Sequence, residues 1–103
     1  MYNVEFLPIA LKDIENIIYY ISHELKNKTA ALKLKDKFIV AIDLIVIFPY
    51  GSSRIYSNAL KNEYRCLRVK NYIIIYLINE DKKTITIVRV SYYKRKIDNL
   101  ISF

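Results

Sequence analysis

The stretch Glu63–Lys96, EYRCLRVKNYIIIYLINEDKKTITIVRVSYYKRK, decides the fold. It predicts three strands in succession: Tyr64–Val69, Tyr72–Ile78 and Thr84–Tyr92. Two short polar connections, Lys70-Asn71 and Asn79-Glu80-Asp81-Lys82-Lys83, have the turn chemistry expected between antiparallel neighbours. The middle run, YIIIYLI, is apolar at every position, so both of its faces must be covered and it belongs at the centre of a sheet. The outer runs alternate. Ile85, Ile87 and Arg89 are expected on one face, with Thr84, Thr86, Val88 and Val90 on the other. By the same rule Arg65 shares a face with Leu67 and Val69, and Cys66 and Arg68 point the opposite way.

Towards the N-terminus the period changes. Tyr2–Leu7 alternates as a further strand and Pro8 ends it, at a helix start where its missing N–H costs nothing. Ala10, Ile14, Ile17, Ile21 and Leu25 then form the stripe of a first helix, and Glu24–Lys28 is a polar break after which Asn27 or Thr29 can cap. A second helix is expected from about Ala30 to Phe48, with Ala31, Leu34, Phe38, Ala41, Ile42, Ile45 and Phe48 inward. Ile39, Val40, Val46 and Ile47 widen this stripe, which predicts deeper burial of the second half. Pro49-Tyr50-Gly51 stops the helix, Ser52–Asn62 reads as a loop, and Lys94–Ile101 reads as a short helix or an extended arm. The order is strand, helix, helix, strand, strand, strand: a helical hairpin on one face of a mainly antiparallel sheet, an α+β fold.

A length of 103 residues predicts one domain with one core. Apolar residues make up 53% of the chain and there is a single Gly, which excludes a low-complexity character and any glycine-rich phosphate loop. One cysteine, Cys66, allows no internal disulfide and fits a reducing, cytoplasmic setting. The start, MYNVEF, has no basic segment and carries Glu5, so no secretory signal is expected. The longest apolar run, Phe38–Phe48, is broken by Asp43 and falls short of the roughly 20 residues that cross a bilayer. With one histidine, His23, read as solvent-facing, and no cysteine cluster, neither a metal site nor a cofactor is implied.

Charge narrows the function. The net charge is +7; residues 1–50 are neutral, so the whole excess and every arginine lie in residues 51–103. Basic charge concentrated on one part of a small domain points to a polyanionic or acidic partner. Arg65 and Arg89 stand on different strands among apolar neighbours. They form either a paired cationic grip or a structural pair buried with Glu63, Asp98 or backbone carbonyls, and both readings stay open here. Tyr92, Tyr93, Lys94, Arg95 and Lys96 place aromatic rings beside cations, a combination suited to a binding surface.

The chain resembles the RelE/ParE toxins of bacterial type II toxin–antitoxin pairs over nearly its whole length. The resemblance is carried by Pro8 and Ala10, Asp13-Ile14 with Tyr20-Ile21, Ala30-Ala31, and Phe48-Pro49 with Gly51. To these it adds Arg65-x-Leu67-x-Val69, Asn71–Tyr76, Ile87-x-Arg89-Val90-x-Tyr92 and Lys94-Arg95. It implies a growth-inhibiting toxin, held in check by an antitoxin expected to contact Ile14, Ile18, Tyr19 and Lys61. It implies two targets: ParE-type members block DNA gyrase, and RelE-type members cut messenger RNA on the ribosome. In the cutting branch the central strand usually reads Tyr-Arg-Leu-Val-Tyr with a catalytic arginine; here Tyr72 is followed by Ile73. The resemblance therefore favours gyrase inhibition, through Arg65, Arg68, Arg89, Tyr92, Tyr93, Lys94, Arg95 and Lys96. The alternative is an endoribonuclease using Arg65, Arg89, Tyr92 or Tyr93, and Arg95, with a tyrosine moving the proton; a third reading is a non-toxic nucleic-acid-binding domain.

Overall fold

A computed structural model of the chain describes residues 1–55 and 63–101. Its elements are β1 (Asn3–Phe6), α1 (Pro8–Tyr19), a π-helical turn (Tyr20–Glu24), α2 (Lys28–Ile47), β2 (Ser53–Ile55), β3 (Tyr64–Val69), β4 (Tyr72–Asn79), β5 (Thr84–Tyr92) and α3 (Ile97–Ile101). The sheet order is β1-β5-β4-β3-β2. β4 is the central strand, as its two-faced apolar sequence requires, and Ile73, Ile74, Ile75 and Tyr76 are all buried. β3, β4 and β5 are antiparallel and β2 pairs antiparallel with β3, whereas β1 runs parallel to β5. The crossover from β1 back to the sheet holds the helical hairpin, the connection a parallel pair needs.

Each face of the sheet has its own apolar cluster. Ala10 of α1 and Leu34, Phe38, Ala41 and Ile45 of α2 pack on Val69, Ile74, Tyr76, Ile85, Ile87 and Val90. Leu100 and Ile101 of α3 cover the opposite face, against Tyr64, Ile73, Ile75 and Val88. The Tyr76 hydroxyl, in the core, donates to the Pro49 carbonyl at 2.6 Å and also meets the Ser52 hydroxyl. This satisfies a buried polar group and anchors the chain leaving α2. Asn27 caps α2, its Oδ1 accepting from the Ala30 N–H at 2.9 Å.

Four expectations need correction. The first helix does not run regularly to Leu25. It widens into the π-turn, where the Leu25 N–H reaches the Tyr20 carbonyl, and Lys26 then turns left-handed at φ 52°, which leaves Leu25 exposed. The loop after Gly51 contains β2, whose three residues are too few to show a period; the rest of the expected loop, residues 56–62, lies outside the described residues. The alternation of β5 breaks at an irregularity opposite Ile75 and Tyr76, so Val88 lies on the α3 face while Val90 joins Ile85 and Ile87 under the helices. Finally, the second half of α2 is not the more buried one: Ile39, Val40, Ile47 and Phe48 are 51%, 59%, 60% and 66% exposed.

Glu80, in the β4–β5 turn, ties three segments together. It accepts from Tyr2 at 2.7 Å, from Tyr50 and from Lys83. The Lys83 ammonium, followed by the Tyr50 and Tyr2 hydroxyls, holds the Glu80 carboxyl down to about 2, and Glu80 in turn pushes the Tyr50 phenol up to about 12. A carboxyl pKa lowered in the fold stabilises above its ordinary 4.5, and that contribution is lost as pH falls towards about 2. Thermal unfolding followed between pH 5 and 2 should therefore show a shallower acid decline for Glu80→Gln than for the wild type. Identical slopes would remove the hub from acid stability.

Candidate functional site

The sheet's arginines divide into two groups by what they touch. Arg65 lies on the helix face of β3, as alternation predicts, and reaches over the chain after α2. Its Nη1 donates to the Ser52 carbonyl at 2.8 Å and the Tyr50 carbonyl at 3.1 Å, its Nη2 stands 3.5 Å from Glu63, and the guanidinium lies 5.1 Å from the centre of the Tyr50 ring. Arg89, at the irregular part of β5, donates from Nε and Nη2 to both oxygens of Asp13 at 2.8 and 3.0 Å. The same carboxylate accepts from the Val90 N–H at 3.0 Å, and Arg89 Nη1 donates to the Leu100 carbonyl at 3.3 Å. The Arg89 and Asp13 side chains are each 14% exposed, and the carboxylate raises the Arg89 pKa above its usual range. Arg65 and Arg89 thus hold α1, α3 and the segment after α2 to the sheet, and they point to different partners rather than converging on one cationic grip.

The remaining candidates meet at the end of the sheet where β3 turns into β4 and β5 runs out. Register places Tyr72 opposite Tyr92 and Val69 opposite Tyr72. Tyr92 packs edge-on to Tyr72 at 6.3 Å between centroids and Tyr72 edge-on to Phe38 at 6.0 Å, so an aromatic row leads from the core to the exposed Tyr92. Tyr93 turns to the other face. The Arg68 guanidinium stacks 3.7 Å from its ring centre and Lys94 Nζ lies 5.7 Å away. Arg68 is held there by its Nε bond to the Lys70 carbonyl at 2.8 Å. The Tyr93 N–H bonds the Asn71 carbonyl and the Arg95 N–H the Tyr92 carbonyl, so a defined turn presents Lys94, Arg95 and Lys96, all exposed. Among the described residues, none of Arg68, Lys94, Arg95 and Lys96 forms a salt bridge. Cations without acidic partners beside exposed rings can meet a carboxylate or phosphate surface without first breaking an internal pair.

Ile14 and Ile18 are half-buried on α1, and Tyr19 is exposed at its end, stacked on His23 at 4.2 Å. Lys61 lies outside the described residues. Asp13, the partner of Arg89, is a site residue that pattern reading misses; its one signal is an acid beside the apolar stripe of α1, matched to an arginine in an otherwise apolar strand. Among the described residues no three His, Cys, Asp or Glu side chains cluster to hold a metal ion, and no helix is long and apolar enough to cross a membrane.

Comparison with known proteins agrees with this architecture. Residues 4–97 match the family model described as the ParE toxin of type II toxin–antitoxin system, parDE. A structure of the chromosomal ParDE system from P. aeruginosa superposes with a TM-score of 0.70 at 17% identity, covering 89% of this chain and 96% of that one. The archaeal RelE–RelB complex from Pyrococcus horikoshii gives 0.62 at 17% identity, over 92% and 98% of the two chains. The isolated E. coli RelE toxin gives 0.58 at 14% identity, over 96% and 92%. No curated protein matches the chain. With the family model spanning all five strands and both long helices, the chain belongs to the ParE toxins of type II toxin–antitoxin systems, within the RelE/ParE fold.

Proposed function

We propose that the chain arrests growth in the cytoplasm by binding DNA gyrase, and that a cognate antitoxin holds it inactive. The observation that carries the choice of target is Ile73. This position, which carries a catalytic arginine in RNA-cutting relatives, is 7% exposed here and packs in the apolar cluster beneath α3. A side chain so placed offers no charge to a scissile phosphate. Arg65 and Arg89, the other cations a cutting centre would draw on, are committed to Ser52, Tyr50 and Asp13. The surface that supports target binding is the partly solvated array of Arg68, Tyr92, Tyr93, Lys94, Arg95 and Lys96, matched to an acidic protein face. For the antitoxin, Ile14, Ile18 and Tyr19 supply contact on α1, with Lys61 as a further proposed contact.

Expression of the chain alone tests this. The expected result is growth arrest with gyrase-linked DNA breaks and intact transcripts. Messenger RNA cut at codon-defined positions would overturn gyrase as the target, and unaffected growth would remove the toxin reading altogether.

A further inference from the structure

Three lysines without acidic partners surround one hollow. Lys33 and Lys37 are four residues apart on α2 and so share one side of the helix, and Lys70 meets them from the β3–β4 turn. Together they rim a cavity of about 400 Å³ beside the π-turn. No Asp or Glu lines it, and among the described residues none of the three lysines forms a salt bridge. Asp36 lines the adjoining hollow, which shares Lys37 and Lys70, but it is paired with neither. The floor differs in kind from the rim. Ile21, Leu34 and Tyr72 make it apolar and aromatic, and Asn27 and Asn71 add amide groups.

Two features of this hollow are unfavourable in the free chain and are relieved by a bound anion. Like charges at Lys33 and Lys37 repel across one helical turn, and Lys70 adds a third. Lys70 also sits left-handed, at φ 56°, where Gly or Asn fits with less strain, and the 2.8 Å bond from Arg68 Nε to the Lys70 carbonyl fixes that turn. The half-buried Tyr72 adds a donor: burial, then the Tyr20 and Tyr92 phenols, push its pKa up, so its hydroxyl stays protonated. Lysines supply point charges for phosphate oxygens, and an apolar floor with one ring accepts a flat organic body. Cavities of roughly 300–1,000 Å³ with this mixture hold small organic ligands. We infer that the hollow binds a small organic phosphate of nucleotide size, its planar body on Ile21, Leu34 and Tyr72 and its phosphates among Lys33, Lys37 and Lys70. The site adjoins the exposed array through the contact of Tyr72 with Tyr92, but it depends on neither the target nor the antitoxin.

The test titrates the full chain with ADP, adenosine and inorganic phosphate, following backbone amide resonances and binding heat. Saturable binding of ADP is expected, with shifts concentrated at residues 33–37 and 70–72, and with adenosine and inorganic phosphate each at least tenfold weaker. Lys37→Gln with Lys70→Asn should weaken ADP binding at least tenfold; both side chains are exposed, and Asn suits the left-handed position. Lys12→Gln with Lys82→Gln removes the same charge from exposed positions outside the hollow and should leave binding within twofold. Circular dichroism checks the folding of each variant, and Lys33→Gln alone, expected to weaken binding severalfold, replaces the double variant if that misfolds. Equal losses in the two double variants would mean attraction by net charge alone and overturn the site. Inorganic phosphate binding as tightly as ADP would overturn the role of the apolar floor, and no saturable binding of ADP would overturn the proposal outright.

Discussion

Asp13→Ala is expected to destabilise the fold by about 3 kcal/mol, a more than hundredfold fall in the folding equilibrium constant. Asp13 accepts two bonds from Arg89 and one from the Val90 N–H, at 2.8 to 3.0 Å, in a site where each charged side chain is 14% exposed. Truncation leaves a mostly buried guanidinium with the Leu100 carbonyl alone among these partners, and it orphans a backbone donor. Asp13→Asn keeps an acceptor for Val90 and should cost less. Replacing both partners, as Asp13→Leu with Arg89→Met, should cost less than Asp13→Ala, because no unpaired charge remains. Urea denaturation of the four proteins checks the ranking. A loss below about 1 kcal/mol for Asp13→Ala would mean that water or another acid reaches Arg89.

Neutralising Arg68, Lys94, Arg95 and Lys96 together should lower affinity for the target roughly a hundredfold. Each exposed cation facing an acidic surface contributes about 0.5–1 kcal/mol, so four contribute about 2–4 kcal/mol. Stability should change little, since these side chains are exposed and outside the clusters beneath α1, α2 and α3. Arg65 and Arg89 are left intact for that reason. Removing them would weaken the fold and confuse loss of binding with loss of structure. Growth of cells expressing the fourfold variant, with its soluble level measured alongside, reports the effect.

What the amino-acid sequence reveals of this molecule depends on the length scale of each interaction. The central place of β4 follows from YIIIYLI, because burial on both faces leaves no other position in a sheet. The hairpin of helices follows from stripes at Ala10, Ile14 and Ile17 and at Leu34, Phe38 and Ala41, since a helical period is visible within a single segment. The irregularity that separates Val90 from Val88 is hidden, because it arises in pairing between β4 and β5 and not in either strand alone. The same holds for β2, defined by its partner β3. Ile39, Val40, Ile47 and Phe48 mislead because apolarity suggests burial within the chain, whereas each is more than half exposed on the side of α2 turned away from the sheet core. At the site, the clustering of Tyr92–Lys96 is readable from adjacency. The stacking of Arg68 on Tyr93 and the pairing of Arg89 with Asp13 need the folded register.

The most direct measurement is supercoiling by purified gyrase in the presence of this chain, freed from its antitoxin, and of its folded Arg68/Lys94/Arg95/Lys96-to-alanine variant. Inhibition by the natural chain is expected, with a roughly hundredfold higher concentration needed for the variant. Equal inhibition by both, or no inhibition by a natural chain that still arrests growth, would contradict it.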